Sequence, residues 1–236
     1  MAEKKDKHET SAVKKWNRYW ERKRKSVSTN RLVLLTYRHT KRFFWSNFVD
    51  RCIKSVPNHG LCLEAGCGTG RLIPFLAQIP TSSFVVGIDF SSLSCKLAKL
   101  RTKNASKKVD IVRGDIKQLS FRDNTFDIVI SLGVIEHFKE PQQLLAELKR
   151  VLKRSGKLFI ATPNRKMFNL KPSRVKRLIV RHGHHDFYDP KELARLVQRS
   201  SLTIVDSYSY VFSSGVVNWF AHFAQTFGCD SHAYMH

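Results

Sequence analysis

Three acidic side chains stand at positions where a ligand could use them. Glu64 precedes the alternating glycines Gly66, Gly68 and Gly70, Asp89 follows a second apolar stretch, and Asp115 follows a third. Alternating glycines permit positive φ and let main chain approach a ligand closely. A helix starting behind them points its first N–H groups into the same space. The spacing is G-x-G-x-G, not the G-x-G-x-x-G of dinucleotide sites. A carboxylate at position 64 repels a pyrophosphate and attracts a cation such as an ammonium or a sulfonium. An acid at the end of the second strand can accept both ribose hydroxyls. One after the third can accept a purine amino group. Taken singly, Asp89 and Asp115 also fit a plainer role as caps of the turns that follow them. A titratable pair, Glu136-His137, lies beyond the fourth apolar run. His137 has the chemistry of a general base, or it simply orients its loop.

The elements that must position these groups follow from the apolar pattern. Short apolar runs at 61–65, 84–88, 109–113, 126–132 and 156–162 read as strands. Helical stretches at 71–78, 91–103 and 141–152 lie between them. This alternation predicts an α/β fold, a Rossmann-like, doubly wound, mostly parallel sheet, with the acids on its carboxyl edge. A helix at 190–200 and a strand at 203–209 continue it. Residues 1–11 read as a disordered basic tail and 12–59 as an N-terminal helical cap. Its first helix carries Val13, Trp16, Tyr19 and Trp20, and a second stretch carries Leu32, Leu35, Phe43, Phe44 and Phe48. The main domain then runs over 60–236.

With those motifs in hand, the chain resembles the class I S-adenosylmethionine-dependent methyltransferases, in the small type-11 group that includes ubiquinone and menaquinone methylases. The resemblance rests on LCLEAGCGTGRL (61–72), VVGIDFS (85–91), VRGDIKQLSF (112–121), DNTFDIVISLGVIEHF (123–138) and LKRSGKLFIATPN (152–164). It continues more weakly through 186–206. It implies S-adenosyl-L-methionine as cofactor and in-line methyl transfer as the reaction. It further implies that Glu64, with the main chain of Gly66 and Gly68, holds the methionine ammonium in the turn that Gly70 completes. Asp89 is implied for the ribose, with Phe90 near the adenine, and Asp115 with the N–H of Ile116 for the adenine edge. Ser131 and Gly133 are implied for the floor beside the sulfonium. Some relatives carry Glu-x-x-Glu-His and bind a divalent metal. Here Gly133 stands at the first acidic position, so no metal is expected, although His182, His184 and His185 could supply ligands. The resemblance makes 163–187 an acceptor-side insertion. It also calls for a seventh, antiparallel strand at the sheet edge, for which the atypical tail at 210–236 offers no clean candidate.

Charge bears on the acceptor. Forty-two Lys and Arg against 19 Asp and Glu leave +23. Residues 1–59 hold 16 basic against 5 acidic side chains, and 165–181 hold no acid. Such an excess attracts polyanions or simply forms a solvated face. The first expectation is a small or lipid-like acceptor, with an anionic membrane surface as partner. The second is RNA methylation through interleaved basic and aromatic residues. The third is an inactive methyltransferase fold used as a binding module, against which the intact acids and glycines speak. Five cysteines without a CxxC pair fit reduced thiols in a cytoplasmic protein, peripheral on a membrane in the first reading. No apolar run approaches the roughly 20 residues of a spanning helix. Oligomeric state is not legible.

Overall fold

The computed structural model describes residues 11–25, 60–77, 84–103, 108–163, 165, 186–210 and 222–228. Helix α1 spans Ser11–Lys25. Strand β1 (Leu61–Ala65), helix α2 (Ile73–Leu76), strand β2 (Phe84–Asp89), helix α3 (Ser92–Thr102) and strand β3 (Val109–Arg113) follow. Strand β4 (Phe126–Leu132), a 3-10 turn (Ile135–His137), helix α4 (Pro141–Val151) and strand β5 (Leu152–Pro163) come next. Helix α5 (Pro190–Arg199) and strands β6 (Thr203–Tyr210) and β7 (His222–Gly228) complete the order.

The sheet order is β3-β2-β1-β4-β5-β7-β6, with β1 to β5 parallel and β7 antiparallel to both β5 and β6. The order reverses between β1 and β4, which opens a crevice beyond their carboxyl ends. Strand side chains alternate between two faces, and each face has its own core. Leu63, Ala65, Val129, Leu158 and Ile160 pack with α4 and α5, whereas Cys62, Ile128, Ile130, Phe159 and Ala161 pack with α2 and α3. Burial on both faces is why these strands read as nearly continuous apolar runs.

Three expectations change. The tail does supply a seventh strand, residues 222–228, and it lies between β5 and β6 rather than at the edge. Its pairing is main chain to main chain, so strong apolar alternation is not required of it. The helix expected at 71–78 is described only over Ile73–Leu76, with Pro74 in its first turn, where a missing N–H costs nothing. Strand β5 begins at Leu152, paired with Phe126, ahead of the expected Gly156. The second helical stretch of the N-terminal cap, the tail at 1–10 and most of the 163–187 insertion lie outside the described residues.

Candidate active site

The glycine turn grows out of β1 and is pinned from three sides. Gly66 and Cys67 donate their N–H groups to the Ile88 carbonyl at 2.8 and 2.9 Å. Gly68 N–H donates to Asp89 Oδ2 at 2.9 Å. Arg101, from α3, donates to the Thr69 carbonyl and hydroxyl at 2.6 and 2.8 Å. Gly66 has φ +79°, and a β-carbon there would lie 2.5 Å from Val134 Cγ2, in the segment after β4. Only glycine fits both the torsion and the space. The turns after β1 and β4 therefore touch across the switch point.

Glu64 is 6% exposed, and its Oε2 has no hydrogen-bond partner among the described residues. Burial, and secondly the nearby charge of Asp89, push its carboxyl well above the usual range. A buried carboxyl with an unsatisfied oxygen is costly unless a donor or cation completes it. Asp89 is half-buried and already accepts the Ser91 N–H as well as that of Gly68, each at 2.9 Å. Burial raises its carboxyl too, while those two N–H groups pull it back. Each carboxylate oxygen keeps a further lone pair for a ligand hydroxyl.

Asp115 lies at the same edge but exposed, and its Oδ1 accepts the Lys117 N–H at 2.9 Å, so it caps its own turn. Ile116 is buried and Phe90 half-buried. Ser131, near the end of β4, is 1% exposed, and its Oγ has no hydrogen-bond partner among the described residues. Gly133 has φ +67° and donates its N–H to the Ala161 carbonyl at 2.8 Å. The parallel register thus puts the predicted acids, Ser131 and Gly133 along one sheet edge.

Beyond β4 the polar groups are side chains. Glu136 is 1% exposed and accepts from Thr162 Oγ1 at 3.1 Å. Burial pushes its carboxyl up to about 8, against the opposing hydrogen bonds of its own main chain and Thr162. Its carbonyl accepts the Asp186 N–H at 3.2 Å. Arg165 donates its N–H to the Tyr188 carbonyl at 3.0 Å and its Nε to the Phe187 carbonyl at 2.8 Å. The two described ends of the 163–187 insertion therefore meet beside Glu136. Burial, Asp186 and Glu136 push the Tyr188 hydroxyl up to about 12. The His137 ring meets Trp16 of α1 edge to face, with centroids 4.7 Å apart.

Asn17, Arg101 and Thr162 were not foreseen. Each meets a partner distant in sequence; no quoted motif contains Asn17 or Arg101, and Thr162 lies within LKRSGKLFIATPN without being marked there. Among the described residues, no group of three or more His, Cys, Asp and Glu side chains could hold a metal ion. His182, His184 and His185 lie outside the described residues. Cys62, Cys67 and Cys95 are free and buried. Among the described residues, no helix is long and apolar enough to cross a membrane.

A buried carboxyl with one unsatisfied oxygen beside a glycine turn, a second carboxylate on the neighbouring strand and a crevice at a switch point together suit a cationic nucleoside. The chain matches the methyltransferase domain family, type 11, over residues 63–160. Residues 63–160 are a class I methyltransferase domain of the type-11 group. The family's cofactor is S-adenosyl-L-methionine.

The domain is 27% identical over 164 residues to a ubiquinone biosynthesis O-methyltransferase of Bartonella quintana, which covers 66% of each chain. It is 30% identical over 152 residues to the protein of that name in Xanthomonas oryzae, covering 61% of this chain and 63% of the relative. The match thus spans just under two thirds of these relatives' length. Among solved structures, a methyltransferase from Thermotoga maritima, described as a possible histamine N-methyltransferase, superposes with a TM-score of 0.66. Its identity is 17%, and the match covers 92% of this chain and 99% of that one. At that identity the likeness concerns the fold.

Proposed function

We propose that this chain transfers the methyl group of S-adenosyl-L-methionine to a small or lipid-like acceptor by in-line displacement. The observation that carries the proposal is the buried Glu64 carboxyl beside the glycine turn, whose Oε2 has no hydrogen-bond partner among the described residues, a place that calls for a cation. In this reading Glu64 and the main chain of Gly66 and Gly68, in the turn that ends at Gly70, receive the ammonium. Asp89 receives the ribose hydroxyls, and Phe90 packs by the adenine. Asp115 and the N–H of Ile116 read the adenine edge, and Ser131 and Gly133 form the floor beside the sulfonium. Bound there, the cofactor supplies a methyl group already activated as a sulfonium. The chain's own residues align the acceptor and exclude water, which can contribute roughly 7–11 kcal/mol in favourable cases. His137 takes the acceptor's proton where the acceptor keeps one at neutral pH.

The relatives named for ubiquinone biosynthesis support a lipid-like acceptor. Exposed Lys14, Lys15 and Arg18 on α1 suit an anionic membrane surface, which would make the protein peripheral there. The net charge of +23 favours RNA as the second reading. A labelled-methyl assay against separated lipid, RNA and small-molecule fractions of a cell extract tests the acceptor. Label in the lipid or small-molecule fraction is expected, and label confined to RNA would replace the first reading with the second. Cofactor binding without any transfer would mark an inactive binding module. Asp89→Ala should weaken cofactor binding about a hundredfold, the loss of two charge-assisted hydrogen bonds. Unchanged affinity by calorimetry would remove Asp89 from the ribose.

A further inference from the structure

Helix α1 lies outside the matched domain, yet one of its faces touches the crevice at three places. Val13, Trp16, Asn17 and Trp20 recur at helical spacing, and Val13 is buried while the other three are half-buried. Lys14, Lys15, Arg18 and Glu21 on the other side are exposed. At the first contact, a β-carbon built on Gly68 would lie 2.9 Å from Trp20 Cζ2, so the indole rests on the glycine turn. The second is the Trp16–His137 edge-to-face pair. At the third, Asn17 Oδ1 accepts the Ser91 hydroxyl at 2.6 Å, and Asn17 Nδ2 donates to Ser92 Oγ at 3.3 Å. Ser91 is the N-cap of α3: its Oγ accepts the Ser94 N–H at 3.1 Å, and its own N–H holds Asp89 Oδ1.

The contacts are coupled by geometry. An isolated helix of 15 residues is marginal in water, so α1 owes its order to the surface it packs on. Asn17 is its polar anchor there, and on a rigid helix one anchor fixes where residues one position before and three after it fall. We propose that α1 is the closing wall of the cofactor crevice and that Asn17 is the positioning residue that latches it, through Ser91, with Trp20 against the glycine turn and Trp16 against His137. The inference rests on the reading above, in which the glycine turn and Asp89 hold the nucleoside. Closure then follows the state of the site, because Asn17 latches onto the residue whose N–H fixes the ribose acid. It also removes water from the sulfonium's surroundings, where charge interactions strengthen as solvent leaves.

Hydrogen exchange of the full chain with and without S-adenosylhomocysteine, which has the nucleoside but no methyl group to lose, tests this. Exchange over residues 11–25 should slow about tenfold on binding, because the bound nucleoside stabilises the closed wall. Asn17→Leu should raise the dissociation constant of S-adenosylhomocysteine, and KM for S-adenosylmethionine, about five- to tenfold, the net worth of a hydrogen-bonded anchor. Asn17→Asp keeps an acceptor for the Ser91 hydroxyl near the start of α3, and should return to within about threefold of wild type. A helix that merely stabilises the fold would lower the melting temperature in both variants without that rescue. Exchange in α1 indifferent to the nucleoside, or an Asn17→Leu variant with wild-type affinity and KM, overturns the wall. Should the variants not fold, the wild-type exchange measurement decides alone. If the wild-type chain binds no S-adenosylhomocysteine, the cofactor reading fails and takes this inference with it. Binding with a silent α1 fails this inference only.

Discussion

On the β1–β3 side of the switch point a glycine turn is held largely through its main chain; on the β4–β5 side the neighbouring polar contacts run through side chains. The first side is a turn whose shape is set by Gly66 and Gly68 at positive φ and by five hydrogen bonds with the Ile88 carbonyl, Asp89 and Arg101. The second holds Glu136 and His137 from the 3-10 turn and Thr162 from β5, with the Asp186 N–H on the Glu136 carbonyl beside them. A cofactor shared by many enzymes can be met by a fixed main-chain cradle. An acceptor that differs between enzymes is met by replaceable side chains. The difference predicts opposite sensitivities for the two sides.

The largest effect belongs to the main-chain side. Gly66→Ala places a methyl 2.5 Å from Val134 Cγ2 and forces a β-carbon into φ +79°. The expected cost is roughly 2–4 kcal/mol of stability, with cofactor binding lost as the turn shifts. Urea unfolding and calorimetry measure the two separately. Wild-type affinity in this variant would show that the cradle tolerates reshaping and would erase the contrast.

That same contrast governs what the sequence could reveal. The β1–β3 side was legible because its parts are contiguous: Glu64 to Gly70 is one short stretch, and Asp89 and Asp115 each follow an apolar run. The strands β1 to β4 followed for the same reason. Asn17, Arg101 and Thr162 were illegible, since their partners lie 74, 32 and 26 residues away. Nothing local marks a side chain whose purpose is met across the fold. Strand β7 was missed on other grounds. HFAQTFG has little alternation, and it forms by filling the main-chain gap between β5 and β6. Trp16 and Trp20 were visible as aromatics, but only the geometry puts them on His137 and Gly68. Asp115, read as an adenine contact, is also the cap of its own turn.

A middle-sized effect of opposite sign is expected on the side-chain half. Glu136 is buried, and burial raises its carboxyl from 4.5 to about 8. The folded state therefore holds this proton more tightly than the unfolded state. Stability falls as pH rises from about 4.5 toward 8 and levels off above that. Glu136→Gln removes this dependence and keeps an oxygen for the Thr162 hydroxyl. It should stabilise the fold by roughly 1–3 kcal/mol at pH 8 and change little at pH 5. Urea midpoints at the two pH values check it. Equal midpoint shifts at pH 5 and pH 8 would mean that Glu136 does not change protonation on folding in this range.

The smallest effects are expected at the opposite edge of the sheet, which supports the strands without facing the crevice. There Asp127 Oδ2 accepts the Leu61 N–H at 2.9 Å, and both carboxylate oxygens take Lys153 Nζ at 2.9 Å. One side chain thus joins β1, β4 and β5 at their amino ends. Asp127 is 14% exposed, and Asp127→Ala strips the Leu61 N–H of its acceptor, so a loss of about 1–2 kcal/mol is expected. Lys153 is 40% exposed, and Lys153→Met should cost under about 0.5 kcal/mol, because solvent screens the pair. Neither change should move the affinity for S-adenosylhomocysteine, since the cradle's hydrogen bonds all lie at the carboxyl ends. An Asp127→Ala variant that binds the nucleoside more than about threefold worse, while still folded, would mean that strain at the strands' amino ends reaches the glycine turn. The division between a rigid cradle and replaceable side chains would then have to include the strands themselves.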